Sequence, residues 1–173
     1  MKELILVNGP MGVGKTSTCT ELMRRLSPSV FLDADWCWNM SPFVVNDETR
    51  AMVLDNIVHL LNNFLHCSAC RYIIFCWVMH AQTIVDDILH RLDLADARVT
   101  LFTLTASPQA LAARLADDIA CGRRSPGILP RSMERLPLYA DMPSVKIDVS
   151  SITAAEAALR MANLVKHNDG FPM

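Results

Sequence analysis

Residues 9–16 read Gly9-Pro10-Met11-Gly12-Val13-Gly14-Lys15-Thr16 and match the spacing G-x-x-x-x-G-K-[ST] at every fixed position. The apolar run at residues 4–7 precedes this stretch, and a helical pattern with one apolar face follows it over residues 15–26. Between a strand and a helix, such glycines let successive N–H groups converge on phosphate oxygens at the positive end of the helix. The sequence therefore predicts a phosphate-binding loop that runs from Gly9 through Ser17. In it Lys15 reaches the phosphates and the Thr16 hydroxyl binds Mg²⁺.

On both sides of this loop, apolar strands and amphipathic helices alternate along the chain without a linker or a repeat. Strands are predicted at residues 4–7, 30–32, 72–79, 99–104 and 145–149, and helices at residues 15–26, 47–65, 82–92, 108–121 and 153–166. Irregular structure is predicted at residues 36–46, a glycine- and proline-bearing loop at 122–130, and a frayed tail at 168–173. Continuous apolar strands are typical of a sheet buried on both faces. The pattern predicts one α/β domain over residues 1–173, with a five-stranded, mainly parallel sheet.

Composition restricts the class of protein. Hydrophobic residues make up 51% of the chain, charged residues 20%, and the formal net charge is −2. This balance favours a folded domain and disfavours a general electrostatic attraction to nucleic acid or anionic lipid. No apolar run approaches the roughly 18 residues that cross a bilayer. The six cysteines follow no framework spacing, and the Cys67/Cys70 pair lacks a second pair of metal ligands, so reduced thiols in a cytoplasmic protein are expected.

Two carboxylates follow the second predicted strand, at Asp33 and Asp35. Side chains two residues apart on a strand point to the same side, which here is the side of Lys15 and Thr16. One carboxylate in the Mg²⁺ shell and one at an acceptor hydroxyl would serve a phosphoryl transfer. The alternative is that both merely solvate the loop or cap a turn. The third strand carries no aspartate, so it offers no metal-binding carboxylate of the usual kind.

The loop, the chain length and the five-strand layout resemble the small P-loop kinases with an adenylate-kinase-type core. This group includes shikimate kinase, gluconate kinase, chloramphenicol phosphotransferase and the tunicamycin-resistance ATP-binding proteins. The resemblance implies a three-layer α/β/α fold with sheet order 2-3-1-4-5, ATP as phosphoryl donor, Mg²⁺, and a mobile lid over the phosphates. It also implies that Asp35 is the catalytic base and Asp33 the residue on the metal side, although these two roles can be exchanged.

Five arginines are concentrated around the segment that corresponds to the lid, at about residues 122–137. They are Arg114, Arg123, Arg124, Arg131 and Arg135. Guanidinium groups bind phosphate oxygens in a bidentate manner. Arg123 and Arg124 are the predicted catalytic pair, with Arg123 also holding ATP, and Arg131 is assigned to the substrate. The alternative is a solvated basic face in which Arg114 pairs with Asp117 or Asp118.

Residues 36–65 form the predicted acceptor region, where Arg50 is the only cation. Trp36 and Trp38 can form one wall of the acceptor site, or they can pack under a loop. Arg50 can bind an acceptor carboxylate or pair with Asp47. His80, after the third strand, can take part in the functional site or have a purely structural role.

We therefore expect the acceptor to be a small, neutral or weakly charged molecule with a hydroxyl group. Asp33, Asp35, Trp36, Trp38, Arg50 and Arg131 are its predicted contacts. Shikimate itself is disfavoured, because Trp77-Val78-Met79-His80-Ala81 stands where shikimate kinase has a triple-glycine motif.

These observations favour an ATP- and Mg²⁺-dependent phosphotransferase that acts on a small-molecule hydroxyl, away from membranes and nucleic acid. Two other hypotheses remain open. One is a nucleoside or nucleotide kinase, and the other is an ATP-binding protein that sequesters a ligand without catalysis.

Overall fold

A computed structural model describes residues 1–168 of the chain. Of the predicted tail at residues 168–173, only Asn168 is described, as the end of the last helix, and the rest lies outside the described residues. The strands are β1 (Lys2–Asn8), β2 (Ser29–Asp33), β3 (Tyr72–Cys76), β4 (Ala97–Thr105) and β5 (Val145–Asp148). The helices are α1 (Lys15–Arg25), α2 (Asp47–His66), α3 (Gln82–Leu89), α4 (Pro108–Ala120), α5 (Ile128–Arg135) and α6 (Ala154–Asn168).

The five strands form one parallel sheet in the order β2-β3-β1-β4-β5. The predicted α/β class and the strand order are therefore confirmed. In this order β1 lies in the middle, so the loop that follows β1 emerges at the centre of the carboxyl edge of the sheet. Ligands of open α/β sheets bind at that edge, where the strand order changes direction.

Two apolar layers explain why the strand sequences are hydrophobic without alternation. Leu4 and Leu6 of β1 pack in a layer with α2 and α3, while Ile5 and Val7 pack on the other face with α1, α4 and α6. All four side chains are completely buried. Because each face of the sheet is covered by helices, the middle of a central strand is apolar on both of its faces.

Most predicted limits are shifted by a few residues, helix α5 was not predicted, and three differences affect the functional edge of the sheet. β3 ends at Cys76, so Trp77 to Met79 leave the sheet and run along its carboxyl edge. A short 3₁₀ helix at Ala34–Trp38 follows β2 directly, within the segment predicted to be irregular. The predicted loop at 122–130 is shorter, because α5 already begins at Ile128. Pro130 lies in the first turn of that helix, where a missing N–H removes no helical hydrogen bond.

None of the helices within residues 1–168 combines the length and apolar character that crossing a membrane requires.

Candidate active site

The predicted phosphate-binding loop connects the end of β1 to the first turn of α1 and borders a cleft of about 190 Å³. Six of its nine predicted residues line the cleft: Met11, Gly12, Gly14, Lys15, Thr16 and Ser17. The other three are Gly9, Pro10 and Val13, and the Val13 side chain is part of the buried core. The first N–H groups of a helix have no acceptor within the helix, so the start of α1 offers this cleft unpaired donors for an anion.

Two glycines hold the loop close to neighbouring elements. Gly9 has φ +143°, and a Cβ at this position would lie 2.7 Å from the carbonyl oxygen of Leu104 on β4. Gly12 has φ +83°, and a Cβ there would overlap the side chain of Leu115 on α4. Both backbone conformations are unfavourable for L side chains. A larger residue at either position would therefore displace the loop from the sheet edge.

The Lys15 ammonium bends back over the loop. Its Nζ donates to the carbonyl oxygens of Gly9 at 2.9 Å and Pro10 at 3.0 Å. Burial lowers the pKa of Lys15 from its ordinary value, while the nearby groups Cys76, Asp35 and Asp33 oppose that shift. The lysine thus lies at the cleft within the field of both aspartates, as its predicted role requires.

Thr16 and Asp33 are in direct contact. The Thr16 hydroxyl donates to Asp33 Oδ2 at 2.6 Å, and Asp33 Oδ1 accepts from the Asp35 N–H at 3.0 Å. Asp33 ends β2 and is buried, with 5% of its surface exposed. A hydroxyl and a carboxylate are hard oxygen donors of the kind that Mg²⁺ prefers. The donor set predicted for the metal is therefore assembled by the fold and fits Mg²⁺.

Asp35 lies in the first turn of the 3₁₀ helix after β2, and it also lines the cleft. Desolvation raises its pKa above the ordinary 3.8, and the negative charge of Asp33 raises it further, whereas Lys15 and Arg124 act in the opposite direction. A carboxylate with a raised pKa is a better proton acceptor than an ordinary aspartate. The two aspartates thus have different environments, with Asp33 buried in hydrogen bonds and Asp35 facing the cleft.

The two predicted catalytic arginines share one partner, Asp118 near the end of α4. Arg123 donates to Asp118 Oδ1 at 2.9 Å, and Arg124 donates to Oδ2 at 3.0 Å. Arg124 and Asp118 line the phosphate cleft together with Lys15. Arg123 does not belong to the lining, and 61% of its side chain is exposed. The structure therefore brings Arg124 to the loop and leaves Arg123 on the outer side of the shared carboxylate.

Arg114 lies at a different cavity, on the other side of the loop. Its guanidinium donates to the carbonyl oxygens of Val13, at 3.2 Å, and Val149. Pairing with Asp117 or Asp118, the alternative considered for Arg114, is not observed among the described contacts. The cavity, about 280 Å³, is lined by Val13, Gly14, Ser17, Thr18, Arg114, Val149, Ile152, Thr153 and Ala154. Its residues come from the loop, α4 and the β5–α6 connection, so no local sequence pattern indicates it.

A larger cavity of about 680 Å³ opens beside the phosphate cleft. Three of the predicted acceptor residues line it, namely Trp38, Arg50 and Arg131. Trp36 does not, because its ring packs edge-on against Phe31 at a centroid distance of 5.2 Å and is otherwise exposed. Asp33 and Asp35 face the phosphate cleft instead.

Further lining residues of this cavity come from α2, the β3–α3 segment, α3 and α5. They are Leu54, Trp77, Val78, His80, Thr83, Ile84, Asp87 and Arg135. Most of them were not candidates in the sequence, because they read as ordinary core or helix positions. Because β3 ends early, Trp77 and Val78 line both this cavity and the phosphate cleft, so the two sites are adjacent.

The family model for an AAA domain matches residues 5–128, from β1 to the start of α5. The chain belongs to the AAA domain family. This AAA domain has no sequence match among the curated proteins. The matched residues include the phosphate-binding loop, both aspartates and the Arg123/Arg124 pair.

Solved structures show which fold this AAA domain has. The tunicamycin resistance protein of Deinococcus radiodurans is 20% identical, with a TM-score of 0.65 over 95% of this chain and 96% of that one. Shikimate kinase from Acinetobacter baumannii, in complex with shikimate, is 20% identical, with a TM-score of 0.65 over 97% and 94%. A gluconokinase from Sinorhizobium meliloti is 18% identical, with a TM-score of 0.65 over 96% and 97%. The AAA domain therefore has the fold of the small P-loop kinases, as its sequence predicted.

Proposed function

We propose that the protein is an ATP-dependent kinase that transfers the γ-phosphoryl group to a hydroxyl of a small molecule. One observation carries this proposal. The phosphate cleft and the larger cavity share Trp77 and Val78 as a common wall, so a triphosphate end and a second molecule can meet there. The kinases among the similar structures support the same reaction class.

The donor would occupy two regions that meet at the loop. The first-turn amides of α1 and Lys15 bind its phosphates, and the cavity beside Arg114 has the size for a nucleobase, with Val149 and Ile152 in a wall of mixed polarity. Val13, Gly14 and Ser17 lie between the two regions, with Gly14 and Ser17 lining both. This arrangement needs no residue from outside the chain.

Thr16 and Asp33 would hold Mg²⁺, directly or through water. The ion, when bound, offsets the negative charge of the phosphate oxygens. The chain's own residues then position the reactants. Lys15 and Arg124 bring positive charge to the cleft, and the Asp35 carboxylate accepts the proton of the attacking hydroxyl. The γ-phosphoryl group passes to the hydroxyl oxygen as the bond to the ADP oxygen breaks, and ADP is the second product.

The test is a titration calorimetry measurement with ATP in the presence and absence of Mg²⁺, followed by an ADP-release assay with a panel of hydroxyl compounds. We expect Mg²⁺-dependent binding and acceptor-dependent ADP release by the native chain. Lys15→Ala should abolish the ADP release, because it removes the cation nearest the phosphates. Lys166→Ala is the matched control, since Lys166 lies on the exposed face of α6.

The outcomes separate the proposal from its rivals. Binding of Mg²⁺·ATP with no acceptor-dependent ADP release would favour the ligand-sequestering hypothesis. Release stimulated mainly by nucleosides or nucleoside monophosphates would favour the nucleotide-kinase hypothesis. Failure to bind any nucleoside triphosphate would refute kinase function altogether.

A further inference from the structure

The larger cavity is cationic and apolar, a combination that narrows the class of acceptor. Three arginines from two helices line it: Arg50 on α2, and Arg131 and Arg135 on α5. One carboxylate, Asp87, lines it as well, but Arg91 binds that carboxylate at 3.0 Å. The guanidinium groups are therefore not neutralised by the cavity's own acid.

The three arginines of the cavity differ in their protein partners, and the two on α5 are available for a ligand. Arg50 pairs weakly with Asp47, at 3.4 Å on the exposed surface. Within residues 1–168, the guanidinium groups of Arg131 and Arg135 make no hydrogen bond or ion pair with a protein group. They are one helical turn apart, so both can face the same ligand.

A third polar side chain in the same wall has one ring nitrogen without a partner. His80 lines the cavity, and its Nδ1 atom is buried without a hydrogen bond. Burial lowers the pKa of His80, and the nearby positive charge of Arg135 lowers it further, so the ring is neutral near pH 7. A buried polar atom without a partner in a ligand-sized cavity is satisfied when a polar ligand group arrives.

Apart from Thr83, the rest of the lining is apolar. Trp38, Trp77, Leu54, Val78 and Ile84 form most of the wall, and the Trp38 ring contacts Phe43 at a centroid distance of 5.7 Å. Such a wall favours an aromatic or aliphatic body, because each hydroxyl of a polyol buried against it would lose its water without a replacement. Only a few polar groups remain to fix the orientation of the ligand.

We propose, on the basis of the kinase function above, that the acceptor is an apolar-bodied alcohol with one anionic group, bound by Arg131 and Arg135. The anionic group is a carboxylate or a phosphate. The body lies against Trp38 and Trp77, and the hydroxyl is directed to the shared wall at Val78 and the phosphate cleft. This proposal narrows the neutral or weakly charged acceptor expected from the sequence to an anionic one, and it adds Arg135 to Arg131, which the sequence already assigned to the substrate.

The test uses the native chain with Mg²⁺·ATP and matched pairs of compounds in an ADP-release assay. Each aromatic or alkyl hydroxy acid is paired with its methyl ester, and each nucleoside monophosphate with its nucleoside. Gluconate represents the polyhydroxy acids. We expect the anionic member to have a kcat/KM at least about tenfold above its neutral partner, on the scale of one charge-assisted hydrogen bond. If the acid and ester pairs show the effect, the anionic group is a carboxylate; if the monophosphate and nucleoside pairs show it, the group is a phosphate.

Two variants connect this preference to the cavity. Arg131→Gln and Arg135→Gln should each raise the KM of the anionic acceptor at least about tenfold and reduce its advantage over the neutral partner. Arg160→Gln removes the same charge from the exposed face of α6 and should leave the KM of the acceptor unchanged. Circular dichroism verifies folding, and neither arginine has a structural partner whose loss would unfold the chain.

The inference and the proposed function fail in different ways. Equal transfer to the neutral and anionic members, preferred transfer to gluconate, or an unchanged KM in both variants overturns this inference and leaves the kinase function intact. No transfer to any compound overturns both.

Discussion

Asp33 and Asp35 are two residues apart in sequence, yet they have different chemical surroundings. Asp33 is fixed by hydrogen bonds from the Thr16 hydroxyl and the Asp35 amide, and it is buried at the end of β2. The Asp35 side chain lines the same phosphate cleft as Asp33 but is exposed. A metal-side carboxylate benefits from being held rigidly, whereas a base needs access to the proton it accepts. This difference supports the assignment in which Asp35 is the base.

At the residue scale, Asp35→Asn should lower kcat by roughly 10²-fold or more, since general bases contribute about that much. Mg²⁺·ATP binding, measured by calorimetry, should persist because Thr16 and Asp33 remain. The pH dependence of kcat tests the same role. A raised Asp35 pKa means that protonation begins at a higher pH than for an ordinary aspartate, so kcat should fall as the pH decreases through that pKa. The substituted chain should lack this acidic limb, and an unchanged limb would assign it to another group.

The neighbouring arginines Arg123 and Arg124 provide a matched comparison at the same scale. Arg124→Ala should reduce kcat/KM at least about tenfold, because that guanidinium lines the phosphate cleft. Arg123→Ala should reduce it by less than about threefold, since Arg123 contacts the outer oxygen of Asp118 and is largely exposed. Steady-state kinetics with saturating acceptor distinguish the two. Equal losses would mean that both arginines move onto the phosphates during turnover.

At the scale of elements, α5 is attached to the phosphate-binding loop by one buried contact. The Ser132 hydroxyl donates to the Met11 carbonyl oxygen at 2.7 Å, and Ser132 is completely buried. Met11 lines the phosphate cleft, while Arg131 beside Ser132 lines the larger cavity. This helix therefore connects the donor loop to the acceptor wall. A change in one can reach the other through a single hydrogen bond.

Ser132→Ala should lower the free energy of unfolding by about 1 kcal/mol, because the partly buried Met11 carbonyl loses its donor. It should also weaken ATP binding, since the loop is no longer held against α5. Urea denaturation and calorimetry measure the two effects. Ser125→Ala, in the exposed segment before α5, is the control and should change neither. Equal stability of the two variants would show that α5 is held by its apolar contacts alone.

At the scale of the whole molecule, the site is formed where several segments meet at one edge of the sheet. The phosphate cleft combines residues from the β1–α1 loop, the end of β2, the segment after β3, and the α4–α5 region. A ligand that binds these segments in the folded chain stabilises the fold as a whole.

Mg²⁺·ATP at about 100 times its dissociation constant should therefore stabilise the native chain by roughly 2.7 kcal/mol. For a chain of this length we expect a rise in Tm of about 5–10 °C. Thermal scans with ATP plus chelator should show a smaller rise, because the Thr16/Asp33 pair would then lack its metal. Lys15→Ala should also show a smaller rise. A rise of equal size with and without Mg²⁺ would contradict the metal assignment.

The local sequence was sufficient for features that depend on neighbouring residues. The phosphate-binding loop is set by its glycines and the helix start that follows, and the strand order is the one implied by the family resemblance. The contact of Asp33 with Thr16 follows from parallel strands ending at one edge. The loop and the aspartate contact were predictable because short-range backbone geometry and the apolar pattern of each strand determine them, whereas the strand order rested on the family resemblance.

Only the tertiary structure decided what the larger cavity contains. Its arginines are up to 85 positions apart in sequence, from Arg50 to Arg135, and the packing of α5 against the loop brings them to one wall. Packing also separated Arg124 from Arg123 and Trp38 from Trp36, pairs that the sequence treated alike. The physical reason is that the direction of a side chain at a surface depends on long-range contacts, which a local pattern of residue types does not encode.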